Sequence, residues 1–246
     1  RHPLLEDIRV RQAIIAGIDR EGIVEALYTD SYPLATGPLA RTALGYTDQS
    51  QHYVHDPEEA ARLLAEAGWE PGPDGILTKA GERLSVTFNV ALPLPRPEDV
   101  LTMIQDQLGQ LGIEVNIISG DQAAQNAAAF DLEQVQIYHQ MVGRAEYDVI
   151  KSQWHSENRN VLLNGDGATG TVADPELDRL LDEVASQAEA DDRAAASAAA
   201  QDHLSEHAYI LPLFEEPVVY GVHGSVEGFG TESVGRPSFY SARLDG

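Results

Sequence analysis

Apolar positions along this chain follow two rhythms, one near 3.6 residues and one of two residues, and they alternate from end to end. Ile8, Ile14, Ile15 and Ile18 stand near helical spacing, with Arg9, Arg11 and Gln12 on the wet side, which predicts a helix over 8–18. Asp19 supplies the cap for a second helix, Arg20 to Tyr28, striped by Ile23, Val24 and Leu27. Thr29 to His55 carries Pro33, Gly37, Pro38 and Gly45 and reads as loop. Asp56-Pro57-Glu58-Glu59 is a helix start, with Glu59 placed to close a capping box. That helix buries Ala60, Leu63, Leu64 and Ala67, and Gly68 ends it.

Period two follows. Ile76 to Thr78 and Leu84 to Leu92 predict a hairpin around Ala80-Gly81-Glu82. Helical spacing returns at Leu101, Ile104, Leu108 and Leu111, and Gly112 stops it. Ile113 to Ile118 reads as a strand, and Asp121 caps a short Ala-rich helix. Val135 to Tyr138 and Asp148 to Trp154 are expected strands, and 163–173 a Gly-rich loop. Asp174-Pro175-Glu176 starts a helix that buries Leu177, Leu180, Leu181 and Val184. Asp191 or Asp192 starts another, which runs through an Ala run to about His207. Ile210 to Phe214 and Val218 to Val222 are expected strands. Helices interleaved with strands predict an α/β fold, a mixed sheet flanked by helices.

Composition narrows the function. The chain has 246 residues and is 43% hydrophobic, enough for a sizeable core. Its net charge of −24, from 40 acidic and 16 basic residues, repels nucleic acid and anionic lipid heads. With no Cys, thiol nucleophiles, disulfides and thiolate metal sites are excluded. No apolar run approaches the ~20 residues of a membrane span. Arg1 to Asp7 has no apolar signal core and reads like the interior of a longer precursor.

Catalytic patterns are weak. Gly165-Asp166-Gly167-Ala168-Thr169-Gly170 has dinucleotide-loop spacing but lacks a strand before it and a helix after it. His203 and His207, four apart, make half a zinc site, but Glu206 is misplaced for the metalloprotease pattern. There is no G-x-S-x-G elbow. Glu215-Glu216 and Asp191-Asp192 read as solvated charge. No enzymatic activity, resident metal or cofactor is expected from these patterns. A metal-dependent hydrolase is the alternative of another class, and a protein-interaction domain a further rival.

Several segments resemble one family in its own order. Arg9-Val-Arg-Gln-Ala-Ile-Ile-Ala-Gly-Ile-Asp19-Arg-Glu comes first, then Tyr53-Val-His-Asp56-Pro57 through Ala67-Gly68-Trp69. Ile104-Gln105 through Gly112-Ile113, Asp174-Pro175-Glu176-Leu177-Asp178 through Val184, and Ile210-Leu211-Pro212-Leu213 complete the set. Together they resemble the family-5 extracellular solute-binding proteins, which serve peptide and nickel ABC transporters. The resemblance implies two lobes that close on a solute, with 1–246 as lobe two and its C-terminal end leading back toward lobe one. It implies a monomer outside the membrane, periplasmic or lipid-anchored. Such a protein captures peptides or peptide-like solutes and delivers them to the transmembrane subunits of an ABC permease, with nickel, haem or oligosaccharide as runner-up cargo.

Family members line the cleft with a Trp, followed three residues later by an Asp that binds the peptide ammonium. By that resemblance Trp154 lines the cleft, Glu157 accepts the ammonium, Lys151 pairs with the peptide carboxylate, and His155 is an adjacent contact. The chain departs from the pattern with Gln153 for Gly, Glu157 for Asp, and Asn158-Arg159-Asn160 for the following Asp-Pro.

Overall fold

The structure is a computed structural model, described over residues 2–90, 94–129, 131, 133–139, 141–142, 147–157, 174–232 and 235–244. Helix α1 (Ile8–Ala16) starts where Asp7 Oδ1 accepts from the Arg9 amide at 3.0 Å. Helix α2 (Arg20–Leu27) starts at the expected Asp19, which accepts from the Gly22 amide at 2.9 Å.

One expectation for α1 fails. Arg11 is buried rather than on the wet side. Its guanidinium donates to Leu5 O at 2.7 Å, Glu6 O at 2.9 Å, and twice to His207 O, at 3.1 and 2.9 Å. Arg20 is buried in the same way, donating to Ala35 O at 2.7 Å, Pro212 O at 2.6 Å and Tyr53 O at 3.0 Å. A guanidinium has five N–H donors in a planar fork, so it can satisfy carbonyls from chain segments far apart in sequence.

Helix α3 (Pro57–Glu66) is capped by Asp56, whose Oδ1 accepts from the Glu59 amide at 2.9 Å. The return half of the capping box is missing. The Asp56 amide already donates to Ala16 O at 2.9 Å, and the Glu59 carboxylate turns to Arg62. Gly68 ends the helix at φ +87.

Strands β1 (Glu70–Pro71), β2 (Leu77–Lys79) and β3 (Glu82–Arg83) form a small antiparallel sheet. Lys79 pairs with Glu82 across Ala80 and Gly81, both at positive φ as a two-residue mirror-image turn requires. The predicted second arm of this hairpin separates from it. Leu84 donates to Leu77 O at 2.8 Å, and the chain then leaves as β4 (Ser85–Asn89). Helix α4 (Pro97–Gln110) carries it over to β5 (Glu114–Ile118), which pairs parallel with β4 from Ser85↔Glu114 to Asn89↔Ile118. Burial decides the pairing. Val86 and Phe88 reach a core with Val100, Leu101, Ile104 and Leu108 of α4, which a surface hairpin would not offer. Gly112, at φ +80, lies so close to Gly75 O that a Cβ there would approach to 2.8 Å. Helix α5 (Gln122–Ala129) begins with Asp121 Oδ1 accepting from the Ala124 amide at 2.9 Å.

Four expected strands are corrected. Asp148–Trp154 is a helix, α6, because Ile150 and Trp154, four apart, share a face that packs on the next helix. Residues 135–138 make only an isolated parallel bridge, Ile137 with Phe88. Residues 210–214 are extended with one antiparallel bridge, Phe214 with Leu34, and residues 218–222 form no strand.

Helix α7 (Pro175–Ser186) starts at Asp174 and buries the four predicted residues. Helix α8 (Ala190–Glu206) packs along it. Short antiparallel pairs close the chain: β6 (Val226–Glu227) with β9 (Arg243–Leu244), and β7 (Gly230–Thr231) with β8 (Pro237–Ser238). Two main cores result. The first joins α1, α3, α4, β4 and β5, and the second joins α6, α7 and α8 with Leu39 and Ala43. The α/β expectation holds. Among the described residues no helix is long and apolar enough to cross a membrane.

Candidate functional site

Between the two cores lies a cavity of about 1160 Å³. Ile14 and Ile18 of α1, Leu101 and Ile104 of α4, and Phe88 of β4 form one side, and Trp154 of α6 another. Glu215, Glu216, Glu232 and Arg236 bring charge to its lining. A concave, mainly apolar space with few polar groups is the usual form of a small-molecule site.

Trp154 is only 2% exposed, so it belongs to the second core while also lining this cavity. Lys151 and His155 lie instead toward α7. Lys151 Nζ is 2.6 Å from Asp182 Oδ1, and this hydrogen bond, with Coulombic attraction, outweighs burial and holds the Asp182 carboxyl below the usual range. His155 is buried. Its Nδ1 accepts from the Glu157 amide at 3.1 Å, which leaves the proton on Nε2. Nε2 is 3.4 Å from Asp182 Oδ1 but not aligned for a hydrogen bond. Asp178 Oδ1 accepts from the Ser156 amide at 2.8 Å and tightens the same turn. The Glu157 side chain is exposed past the end of α6. The fold therefore gathers Lys151 and His155 on Asp182, beside an open depression of about 680 Å³, and turns Trp154 to the large cavity.

The cavity also holds a residue that the sequence did not single out. His139 is fixed through its backbone: its amide donates to Asn89 Oδ1 at 2.8 Å, and Asn89 Nδ2 donates back to His139 O at 3.3 Å. Its Nδ1 is buried with no hydrogen-bond partner, and burial pushes its pKa down to about 4. The imidazole is thus neutral at neutral pH, with a lone pair available at one ring nitrogen. A lone His beside a short strand has no spacing signal, so only the fold marks it.

The other candidate groups have structural work. His203 Nε2 is 2.9 Å from Asp174 Oδ2, which also accepts from Tyr209 OH at 2.8 Å. Asp174 caps α7 as well, through the amides of Glu176 and Leu177. Burial alone would raise the Asp174 carboxyl, but hydrogen bonds from His203, Leu177 and Tyr209 outweigh it and hold the pKa at about 2. His207 stacks on His203 at 4.0 Å. Among the described residues no group of three or more His, Asp or Glu is arranged to hold a metal ion. The Gly-rich run 165–170 lies outside the described residues.

Comparisons with known proteins agree with this architecture. Residues 1–161 match the family model described as bacterial extracellular solute-binding proteins, family 5 middle. Heme-binding protein A of Haemophilus influenzae is 25% identical over 98% of this chain and 42% of its own length. Oligopeptide-binding protein AppA of Bacillus subtilis is 32% identical over 118 residues, 47% of this chain and 22% of its own. In structure, the oligopeptide-binding protein of Thermus thermophilus, complexed with a pentapeptide, superposes with a TM-score of 0.77 at 24% identity. That match covers 95% of this chain and 42% of the Thermus chain, and at this identity it shows the fold alone. The chain thus spans less than half the length of these relatives.

Proposed function

Because the chain belongs to family 5 of the bacterial extracellular solute-binding proteins, we propose that residues 1–246 act as the second lobe of a two-lobed solute receptor. Its work is to capture peptides or peptide-like solutes outside the membrane and hand them to an ABC permease. The large cavity with Trp154 in its wall carries this reading. Peptide-binding relatives support it by name. The chain's residues act by binding: a solute touching both lobes stabilises the closed form, and closure is what the permease senses.

In this reading Trp154 gives apolar contact and the exposed Glu157 accepts a solute ammonium. Lys151 meets a solute carboxylate from its place beside Asp182, and His155 is the adjacent contact. The C-terminal stretch leads back toward lobe one. Its exposed Val218, Val219, Phe239, Tyr240 and Leu244 give that stretch apolar surface for a neighbouring lobe to cover. The receptor works as a monomer. With one lobe present, calorimetry against di- to pentapeptides is expected to give nothing tighter than about 1 μM, roughly −8 kcal/mol. Nanomolar binding by residues 1–246 alone would sink the two-lobe account.

One observation favours a second cargo. His139 lines the cavity with a neutral imidazole whose buried Nδ1 has no hydrogen-bond partner, and one relative is named a heme-binding protein. Were haem to bind, such an imidazole would be the residue to hold its iron. Titration with hemin should then give a sharp Soret shift that His139→Ala removes. An unchanged spectrum in the native chain retires haem and leaves peptides.

A further inference from the structure

Loop 36–49 belongs to both cores. Its ends sit on the first. Arg20 of α2 holds Ala35 O just before the loop and Tyr53 O shortly after it, and the Gln49 amide donates to Thr36 O at 2.7 Å to close the base. Its body sits on the second, where Leu39 and Ala43 are buried with residues of α6, α7 and α8. Thr36 Oγ1 and Tyr46 OH, 2.6 Å apart, tie it from within. A loop of this length, with joined ends and its own side chains packed inside, is an Ω-loop, a form that often carries function. Between its two attachments, Gly37, Pro38, Ala40, Thr42, Ala43 and Leu44 form a wall of the large cavity.

Helix α8 clasps the body of the loop. Ser197 and Gln201 stand four apart in the Ala run, so they share a face, and both are fully buried. Gln201 Oε1 accepts from the Thr47 amide at 3.3 Å, while its Nε2 donates to Gly45 O at 2.6 Å. Ser197 Oγ donates to the same Gly45 oxygen at 3.0 Å. The Gln201 amide has one orientation here, since the reverse would turn its oxygen against the Gly45 carbonyl. A buried amide is tolerated only when its polar atoms are met, and what the loop offers it is backbone alone. The clasp therefore holds the path of the loop, whatever its side chains. Gly45, at φ +77, lets the chain run that close, because a Cβ there would come within 2.8 Å of Ser197 Oγ. Neither Ser197 nor Gln201 lines the cavity.

We propose that loop 36–49 sets the width of the solute cavity, and that Gln201 and Ser197 are the positioning residues that fix it from behind. A wall held in place before binding spares the solute the cost of ordering it. Affinity in the cavity then depends on two residues that do not face it. The inference rests on the reading of this cavity as the solute site, but the position of the wall is measurable without any solute.

Spin labels test it. The chain has no Cys, and Leu44 on the loop and Thr102 on α4 of the first core are both exposed. Leu44→Cys with Thr102→Cys therefore gives one label pair between the wall and the first core. Pulsed electron resonance should show one narrow distance in the native background and a distribution at least ~2-fold wider in Gln201→Leu. Ser197→Ala, which removes one donor to Gly45 O, should widen it less, and it decides the matter alone if Gln201→Leu does not fold. Leu204→Ala is the control: it empties buried space on the same helix, keeps the clasp and leaves the distance narrow. No widening in the clasp variants, or equal widening in Leu204→Ala, overturns the proposal. Calorimetry with trialanine on the same chains reads the consequence, an affinity at least ~10-fold weaker in Gln201→Leu and unchanged in Leu204→Ala. A widened distance with trialanine affinity unchanged overturns the positioning role. Trialanine binding with no widening keeps the receptor and removes the wall. Widening in a chain that binds no tested peptide keeps the wall and removes peptides as the cargo.

Discussion

The two cores are built from different material. The first is filled by branched and long apolar side chains that meet across large sequence distances, such as Ile18, Ile23, Leu64, Val86, Leu101 and Leu108. The second has its own apolar seam on α6 and α7, to which α8 adds Leu204, but α8 otherwise meets the rest of the molecule through small and polar residues. Ala200, Ser197 and Gln201 are all fully buried. Gln201 Nε2 donates to Gly45 O at 2.6 Å, Ser197 Oγ to the same oxygen at 3.0 Å, and Tyr53 OH to Ser205 Oγ at 2.8 Å. Stability in the first region follows from volume filled, and around α8 from hydrogen bonds satisfied. Mutations should therefore fail differently in the two places.

Trp154→Ala is expected to have the largest effect, about 3–5 kcal/mol, as for a buried aromatic in a core. Leu108→Ala in the first core should cost about 2–5 kcal/mol, with nothing lost beyond packing. Urea denaturation measures both. A stability loss under about 1 kcal/mol for Trp154→Ala would mean that the indole serves the cavity and not the core. Trp154→Phe separates the roles further, by keeping most of the packing while changing solute affinity.

Arg20→Met tests the link between distant segments. The thioether fills space but leaves the carbonyls of Ala35, Tyr53 and Pro212 without their donor. About 3 kcal/mol is expected, since buried unsatisfied acceptors are costly. A neutral result in thermal denaturation would show that water replaces the guanidinium without loss.

Asp174 sharpens the comparison through pH. Its folded pKa of about 2 lies below the ordinary carboxylate value of 3.8. The carboxylate form is therefore favoured by folding. Its stabilisation is fully present above about pH 4 and is lost as pH falls toward 2, by about 1–2 kcal/mol once solvent screening is allowed for. Urea midpoints between pH 5 and pH 2 should fall less steeply in Asp174→Asn than in the native chain. Equal slopes would remove Asp174 as the acid-sensitive group of the second region.

The smallest effects concern the cap of α3 in the first region. Asp56→Ala should cost about 1 kcal/mol by freeing the Glu59 amide. Glu59→Gln should leave the urea midpoint unchanged, because the Glu59 side chain serves a solvated pair with Arg62 and not the cap. A larger loss for Glu59→Gln than for Asp56→Ala would restore the reciprocal box.

Helix starts were the most legible feature of this chain. Asp19, Asp56, Asp121 and Asp174 cap helices as their sequence positions indicate, because a cap is a contact between residues two or three apart. The family was legible for a related reason, since its segments are largely these capped helices in order. What needed the tertiary structure were features whose partners are remote. The strand 85–89 pairs with β5 and not with its sequence neighbour, because only that side offers a core. Asp148–Trp154 is a helix because α7 offers a face for Ile150 and Trp154. Arg11 and Arg20 are buried because carbonyls nearly two hundred residues away accept from them. At the candidate site the sequence marked Trp154, but its separation from Lys151 and His155, and the buried Nδ1 of His139, were decided by packing. Period and capping report what a residue's neighbours in sequence can supply. Burial and pairing depend on what arrives from elsewhere in the chain.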